Sequence, residues 1–141
     1  MGQGRWLVKS EPSEYAWARL VEEGSTRWTG VRNFTARNHL AAMKRGDLVL
    51  YYHTGAEKAV VGVAQVSGEA RPDPTAKAAE GWLAVELAPV QALATPVPLA
   101  SIRSEPALSD LALVRQGRLS VMPIPKPAFA RILALGRTKL R

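Results

Sequence analysis

The residues best suited to chemistry in this chain lie between Arg27 and Asn38, in the segment RWTGVRNFTARN. This segment sets an indole, a phenyl ring, three guanidinium groups and two amides around Gly30. Aromatic faces hold flat rings by stacking, while amides and guanidinium groups hydrogen-bond to the polar edge of a ring. The segment therefore predicts a pocket for a nucleobase or a similar planar heterocycle.

Two further groups of polar residues follow apolar runs that are typical of buried strands. Lys9, Ser10 and Glu11 follow the predicted strand Trp6-Leu7-Val8, and His53 ends the predicted strand 48–53. The period of two along a strand places Tyr51 and His53 on one face. A carboxylate accepts hydrogen bonds from an exocyclic amine, and a neutral imidazole donates or accepts at a base edge. The ends of both strands are therefore candidate walls of the same pocket.

Each of these residues also has a purely structural interpretation. Ser10 and Glu11 can satisfy nearby backbone donors, and His53 can be a buried histidine hydrogen-bonded to backbone. Trp28 can fill the core instead of stacking on a ligand, and Arg32 can form an internal salt bridge. The remaining indoles, Trp6, Trp17 and Trp82, are interpreted as core residues.

Hydrolytic and metal-dependent chemistry has little support in the sequence. His39 and His53 are the only histidines, cysteine is absent, and neither histidine belongs to a metal-binding motif. The chain has no nucleophile elbow and no phosphate-binding P-loop. We therefore predict no catalytic residue, no metal and no cofactor. The alternative is an enzyme acting on a nucleotide or small heterocycle, with Glu11 or His53 as general acid or base.

The net charge of +7 comes from the end of the chain, because no acidic residue follows Asp110. A surface of one sign attracts polyanions, nucleic acid first among them, although a solvated basic tail has the same composition. We predict that Arg115, Arg118 and Lys126 contact phosphates. The absence of cysteine, of an apolar run long enough for a membrane and of a signal peptide predicts a cytoplasmic protein, expected to be a monomer without a membrane partner.

The pattern of elements indicates an α+β protein. Strands are predicted at 6–8, 48–53, 59–66 and 82–87, and helices at 14–23, 36–44 and from Pro127. Ser13 and Thr35 are the expected N-caps, residues 25–34 are expected to form a loop, and Pro106 is expected to begin a helix. Strands and helices mix without regular β-α-β alternation, which favours a small barrel decorated with helices over a doubly wound sheet.

Several motifs together resemble the EVE domain family. They are Trp6-Leu7-Val8-Lys9-Ser10-Glu11-Pro12, Trp28-Thr29-Gly30-Val31-Arg32-Asn33-Phe34 with Ala36-Arg37-Asn38, Gly46-Asp47 before Tyr51-Tyr52-His53, Val61-Gly62, and Leu113-Val114-Arg115-Gln116 with Leu119-Ser120-Val121-Met122-Pro123. They occur in the family's order and cover nearly the whole chain. The resemblance implies a PUA-like fold, a small and mostly antiparallel β-barrel with helices around it, over a single domain at 1–136 that precedes a basic tail at 137–141.

The resemblance also implies a function and a set of site residues. The function is non-catalytic recognition of a modified nucleobase in DNA or RNA, with the base stacked on Trp28. The implied ligand-binding residues are Lys9, Ser10, Glu11, Trp28, Val31, Arg32, Asn33, Tyr51, His53, Ser120 and Val121. A sensor of a free nucleobase-like small molecule remains an alternative. The sequence distinguishes neither the modification nor DNA from RNA.

Overall fold

One curled sheet of six strands organises the fold. In the computed structural model, which describes residues 3–141, the strands lie in the order β2-β5-β4-β3-β1-β6. Their bounds are β1 Arg5–Ser10, β2 Thr26–Trp28, β3 Leu48–His53, β4 Ala59–Pro72, β5 Leu83–Pro98 and β6 Val121–Pro123. The β1–β3 pair is parallel and all other pairs are antiparallel. The predicted α+β class and mostly antiparallel, barrel-like sheet are confirmed.

Long, irregular strands give the sheet its curvature. β4 and β5 pair along most of their length, but their register shifts at four places, between Val60 and Gly62 and again near Val63, Val66 and Gly68. Extra residues of this kind bend a strand and increase its twist, which closes a sheet toward a barrel. The predicted strand ending at Leu87 continues to Pro98 because Pro89 pairs beside one of these shifts, where a missing backbone N–H is tolerated.

Six short α-helices cover the sheet in the described part of the chain. They are α1 Pro12–Tyr15, α2 Trp17–Glu23, α3 Phe34–Ala42, α4 Leu99–Ser104, α5 Ala112–Arg115 and α6 Lys126–Leu135. None of the helices within residues 3–141 is long and apolar enough to cross a membrane. The final residues pack against β5, where Thr138 Oγ1 accepts a hydrogen bond from the Ala94 N–H at 2.8 Å.

Several helix boundaries differ from the sequence predictions. The predicted helix 14–23 is two helices, because Ala16 is extended with φ −83° and ψ 160°. The side chain of Glu11, and not Ser13, caps α1, and Asn33, not Thr35, caps α3 through a 2.9 Å bond from the Ala36 N–H. No helix starts at Pro106; residues 106–110 form turns before α5.

A close contact joins α2 to the paired strands β3 and β4. The indole of Trp17 lies directly on Gly62 of β4, and a Cβ placed on Gly62 would be 2.6 Å from the Trp17 ring. Trp17 also packs against Tyr51 with ring centroids 5.5 Å apart. Gly62 also lies at a register shift between β4 and β5, and the group that approaches it most closely is the Trp17 side chain.

Replacing Gly62 should destabilise the protein. Gly62→Ala places a methyl group inside the Trp17 ring, which is nearly buried and cannot move freely, so the free energy of unfolding should fall by about 1–3 kcal/mol. Chemical denaturation measures it. Gly117→Ala is the control, since a Cβ there meets no atom within 4 Å. Equal stability of Gly62→Ala and wild type would contradict the contact.

Candidate nucleobase-binding site

An open cavity of about 530 Å³ lies at the end of β1. Its volume is in the range of small-molecule sites. Three stretches that are distant in sequence form its wall: the end of β1 with α1 and α2, the segment from β2 to Arg32, and the residue before β6. The lining residues are Lys9, Ser10, Glu11, Glu14, Tyr15, Arg19, Glu23, Thr26, Arg27, Trp28, Thr29, Gly30, Val31, Arg32 and Ser120.

Trp28 is the aromatic wall of this cavity, and two tyrosines hold it. Trp28 ends β2, and its indole meets the ring of Tyr51 at 5.5 Å and 78° and that of Tyr15 at 6.5 Å and 83°. Edge-to-face pairs of this geometry are favourable and fix ring orientation. Only 9% of Trp28 is exposed, so the residue serves the core and the cavity together.

The backbone carbonyl of Tyr15 ties the first strand to this aromatic cluster. It accepts hydrogen bonds from Ser10 Oγ at 2.5 Å and from the Tyr51 hydroxyl at 3.0 Å. Burial raises the pKa of the Tyr51 phenol to about 12, so it remains a donor at neutral pH. Tyr51 therefore lies behind Trp28 as a support and does not line the cavity.

Asp73 holds the loop after Trp28 in place from the tip of the β4–β5 hairpin. Its buried Oδ2 accepts from the Gly30 N–H at 2.8 Å and from Arg32 Nη1 at 3.0 Å. Its Oδ1 accepts from the N–H and hydroxyl of Thr75 at 2.7 and 2.6 Å. Gly30 has φ +85°, a conformation that glycine adopts without steric cost, which lets its N–H point at the carboxylate.

The hydrogen bonds to Asp73 outweigh the cost of burying its charge. Burial alone raises the pKa of a carboxyl group, but the bonds from Thr75, Gly30 and Arg32 favour the ionised form and hold the pKa of Asp73 at about 2. The sequence prediction did not include Asp73. The spacing Asp73-Pro74-Thr75 is typical of a local turn in which the Asp accepts from the residue two positions later, but nothing in it reveals the bonds to Gly30 and Arg32.

Glu11 lies on the cavity wall as an ionised acceptor. A backbone hydrogen bond from Ser13 is the main reason that the pKa of Glu11 lies below its ordinary value, and the hydroxyls of Ser13 and Thr54 add to the effect. Oε1 accepts from Ser13 Oγ at 3.1 Å and Oε2 from Thr54 Oγ1 at 3.2 Å. Because a carboxylate has about four acceptor positions, further donors can still be bound.

His53 is held by the protein and is absent from the cavity wall. Its Nε2 accepts from the Trp17 backbone N–H at 3.0 Å, so Nδ1 carries the proton and donates to Glu57 Oε1 at 2.7 Å. His53 shares a face with Tyr51, as the alternation predicted, with ring centroids 5.9 Å apart. Both nitrogens are therefore occupied, Nε2 by the first residue of α2 and Nδ1 by Glu57.

Among the other predicted ligand-binding residues, the structure separates two groups. Lys9, Val31, Arg32 and Ser120 line the cavity together with Ser10, Glu11 and Trp28. Asn33 and Val121 do not. The Asn33 side chain caps α3, and Val121 is fully buried in β6 opposite Val8. Eight residues that complete the wall were absent from the predicted ligand-binding set: Glu14, Tyr15, Arg19, Glu23, Thr26, Arg27, Thr29 and Gly30.

The cations around the cavity differ in how far they are neutralised. Arg19 pairs with Glu23 at 3.0 Å, whereas Arg27 forms no salt bridge within residues 3–141. Lys9 Nζ donates to the Gly117 carbonyl at 2.9 Å, and burial lowers the pKa of Lys9. This contact brings the loop containing Arg118 to the edge of the cavity.

The three predicted phosphate-contacting residues lie in different settings. Arg115 pairs with Asp110 at 2.6 Å on the surface, while Arg118 is exposed and forms no salt bridge in the part of the chain that the structure describes. Lys126 borders a separate, mainly apolar groove beside α6, together with Arg5 and Phe129. Within residues 3–141, no group of three His, Cys, Asp or Glu side chains could hold a metal ion.

A protein family and a curated relative both match nearly the whole chain. The family model for the EVE domain matches residues 4–135. Thymocyte nuclear protein 1 of Gallus gallus is 30% identical over 172 residues, which cover 95% of this chain and 69% of the chicken protein.

Two solved structures match the fold closely. A Rhodopseudomonas palustris protein solved by NMR has a TM-score of 0.90 at 42% identity, covering 95% of this chain and 93% of that chain. The crystal structure of human THYN1 protein in complex with 5-methylcytosine-containing DNA has a TM-score of 0.85 at 28% identity, covering 97% and 99%.

Removing the charge of Asp73 should destabilise the protein in a pH-dependent manner. At neutral pH, Asp73→Asn should lower the free energy of unfolding by about 2–3 kcal/mol. The folded pKa of about 2 lies below the ordinary value near 3.9, so this contribution is complete above about pH 4 and disappears as the pH falls through about 2. Denaturation of both proteins from neutral to acidic pH should show the gap closing in that window.

Asp110→Asn is the control for this measurement, because Asp110 is an exposed partner of Arg115. It should change the free energy of unfolding by no more than about 0.5 kcal/mol. A gap between wild type and Asp73→Asn that stays constant down to pH 2 would show that the Asp73 carboxylate does not stabilise the fold through its ionised form.

Proposed function

Since this chain belongs to the EVE domain family, we propose that it binds nucleic acid by taking one modified nucleobase into the cavity beside Trp28 and leaving it chemically unchanged. The observation that carries this proposal is that Trp28 lines a cavity whose remaining lining is mostly polar. Stacking on one aromatic residue contributes about 1–3 kcal/mol. The human relative in complex with 5-methylcytosine-containing DNA supports the same ligand class for this chain.

The polar lining suits the edge of a base. Glu11 accepts from ring N–H groups and exocyclic amines, and the Ser120 hydroxyl can donate and accept. The Ser10 hydroxyl donates its proton to the Tyr15 carbonyl, so it can only accept from a base. Arg32 is held by Asp73 and so presents its remaining N–H groups from a fixed position. Because a base in a helix is stacked and paired, the base enters by flipping out, which costs a few kcal/mol.

The state of the two candidate acid–base residues favours binding over catalysis. Hydrogen bonds hold the pKa of Glu11 below its ordinary value, which makes it a weak base at neutral pH. Both nitrogens of His53 are engaged by Trp17 and Glu57, outside the cavity wall. A ligand in the cavity therefore meets Glu11 as a hydrogen-bond acceptor, while both nitrogens of His53 are already engaged elsewhere.

Filling the cavity should abolish discrimination between bases. Wild type should bind at least one oligonucleotide that carries a modified base, such as 5-methylcytosine or N6-methyladenine, about tenfold or more tighter than its unmodified counterpart, a difference of about 1.4 kcal/mol. Ser120→Trp places an indole in the cavity and should reduce that ratio to about one, as measured by fluorescence anisotropy.

The matched control is Ser104→Trp, at an exposed serine that ends α4 and does not line the cavity. It should keep the discrimination of wild type. Undetectable or equal affinity of wild type for every modified and unmodified oligonucleotide would refute base recognition. Turnover of the base by wild type would favour an enzyme instead.

Phosphate contacts should depend on whether a cation is already paired. Arg118→Gln should weaken binding to all oligonucleotides alike and reduce the slope of log affinity against log salt by about 1. Arg115→Gln should have a smaller effect, because Arg115 already pairs with Asp110. An equal or larger effect of Arg115→Gln, measured over a salt series, would place the phosphates elsewhere.

A further inference from the structure

Phe34 and Trp82 form an aromatic stack on the surface beside the cavity. Their ring centroids are 4.9 Å apart and the ring planes are inclined by 23°. Phe34 is the first residue of α3, and 62% of it is exposed. Trp82 is half-buried just before β5, so the sequence interpretation of Trp82 as a core residue is wrong. Much of Phe34 is therefore accessible to a ligand.

Two guanidinium groups accompany this stack. Arg32 Cζ lies 5.7 Å from the centroid of Trp82, and Arg37 Cζ lies 5.0 Å from the centroid of Phe34. The Arg32 guanidinium is anchored to Asp73 and Thr75, whereas within residues 3–141 the Arg37 guanidinium donates only to Oδ1 of the adjacent Asn38. Arg37 can therefore move aside for a base or stack on it, since guanidinium planes and aromatic faces both bind nucleobases.

Arg32 connects the stack to the cavity. Its guanidinium lies over Trp82, and the same residue lines the cavity. The two surfaces are thus neighbours on a loop that Asp73 holds rigidly. A strand with one base in the cavity continues past its mouth, where the adjoining bases need a partner because flipping has removed a neighbour from their stack.

We propose that the exposed surface of Phe34 and Arg37 stacks a second nucleobase, one next to the base held in the cavity. This inference rests on the proposed function. Stacking is tolerant of sequence, because every base has a π-face, so this second position contributes affinity and little base discrimination. The cavity selects the modified base, and the Phe34 surface holds the strand that carries it.

Phenylalanine provides a direct probe, because the chain has only two, Phe34 and the buried Phe129. With ¹³C-labelled phenylalanine, the ring signals of Phe34 should shift on addition of the tightest-binding single-stranded oligonucleotide of the modified-base panel. The corresponding free nucleoside should leave them in place, and Phe129 should not respond to either. Unchanged Phe34 signals at saturation with the oligonucleotide would overturn the proposal.

Affinity gives an independent test. Phe34→Ala and Phe34→Leu should each weaken oligonucleotide binding by about 5- to 150-fold, the equivalent of stacking one base, and leave nucleoside binding unchanged. Val90→Ala, at another exposed apolar residue, should alter neither. Oligonucleotide affinity of Phe34→Ala equal to wild type would refute the second stacking position alone, whereas no binding of any oligonucleotide by wild type would refute it together with the proposed function.

Discussion

The bonds of the buried Asp73 carboxylate to Gly30 and Arg32 determine the shape of the site. A buried charge is costly unless it is paired and hydrogen-bonded, and Asp73 receives four hydrogen bonds from three residues. This arrangement joins the hairpin of the two longest strands to the loop that carries the cavity wall. The rings of Tyr15 and Tyr51 thus fix the indole of Trp28, and Asp73 fixes the loop that follows it.

A second buried aspartate, Asp47, holds the beginning of β1 by hydrogen bonds. Asp47 accepts from the Gly4 N–H, the Trp6 indole and the Lys44 N–H, all between 2.8 and 2.9 Å. Burial raises the pKa of Asp47, but these bonds more than compensate, and the net shift is downward. These bonds fix the beginning of β1. The other end of β1, with Ser10 and the following Glu11, lies at the cavity.

Local sequence signals foretold much of this structure, and contacts between distant residues account for what they missed. The apolar runs of β1 and β3 and the order of motifs predicted the sheet core and the EVE domain family, both confirmed. The short strand β2 was missed because pairing with β5, and not its own sequence, makes it extended. The sequence did not predict the bond between Asp73 and Gly30 or the stack of Phe34 on Trp82, because the residues of each pair lie over 40 positions apart in the chain. The motifs also assigned His53 and Asn33 to the site. Both belong to a motif but hold neighbouring backbone and do not line the cavity.

The central claim is that a modified base occupies the cavity and stacks on Trp28. The most direct measurement is a crystal structure of the protein with the tightest-binding modified oligonucleotide. The account predicts the modified base out of its helix or strand, with its face on Trp28 and its edge within hydrogen-bond distance of Glu11 or the serines. A complex in which every base remains stacked in the nucleic acid, or in which the modified base binds elsewhere on the surface, would contradict it.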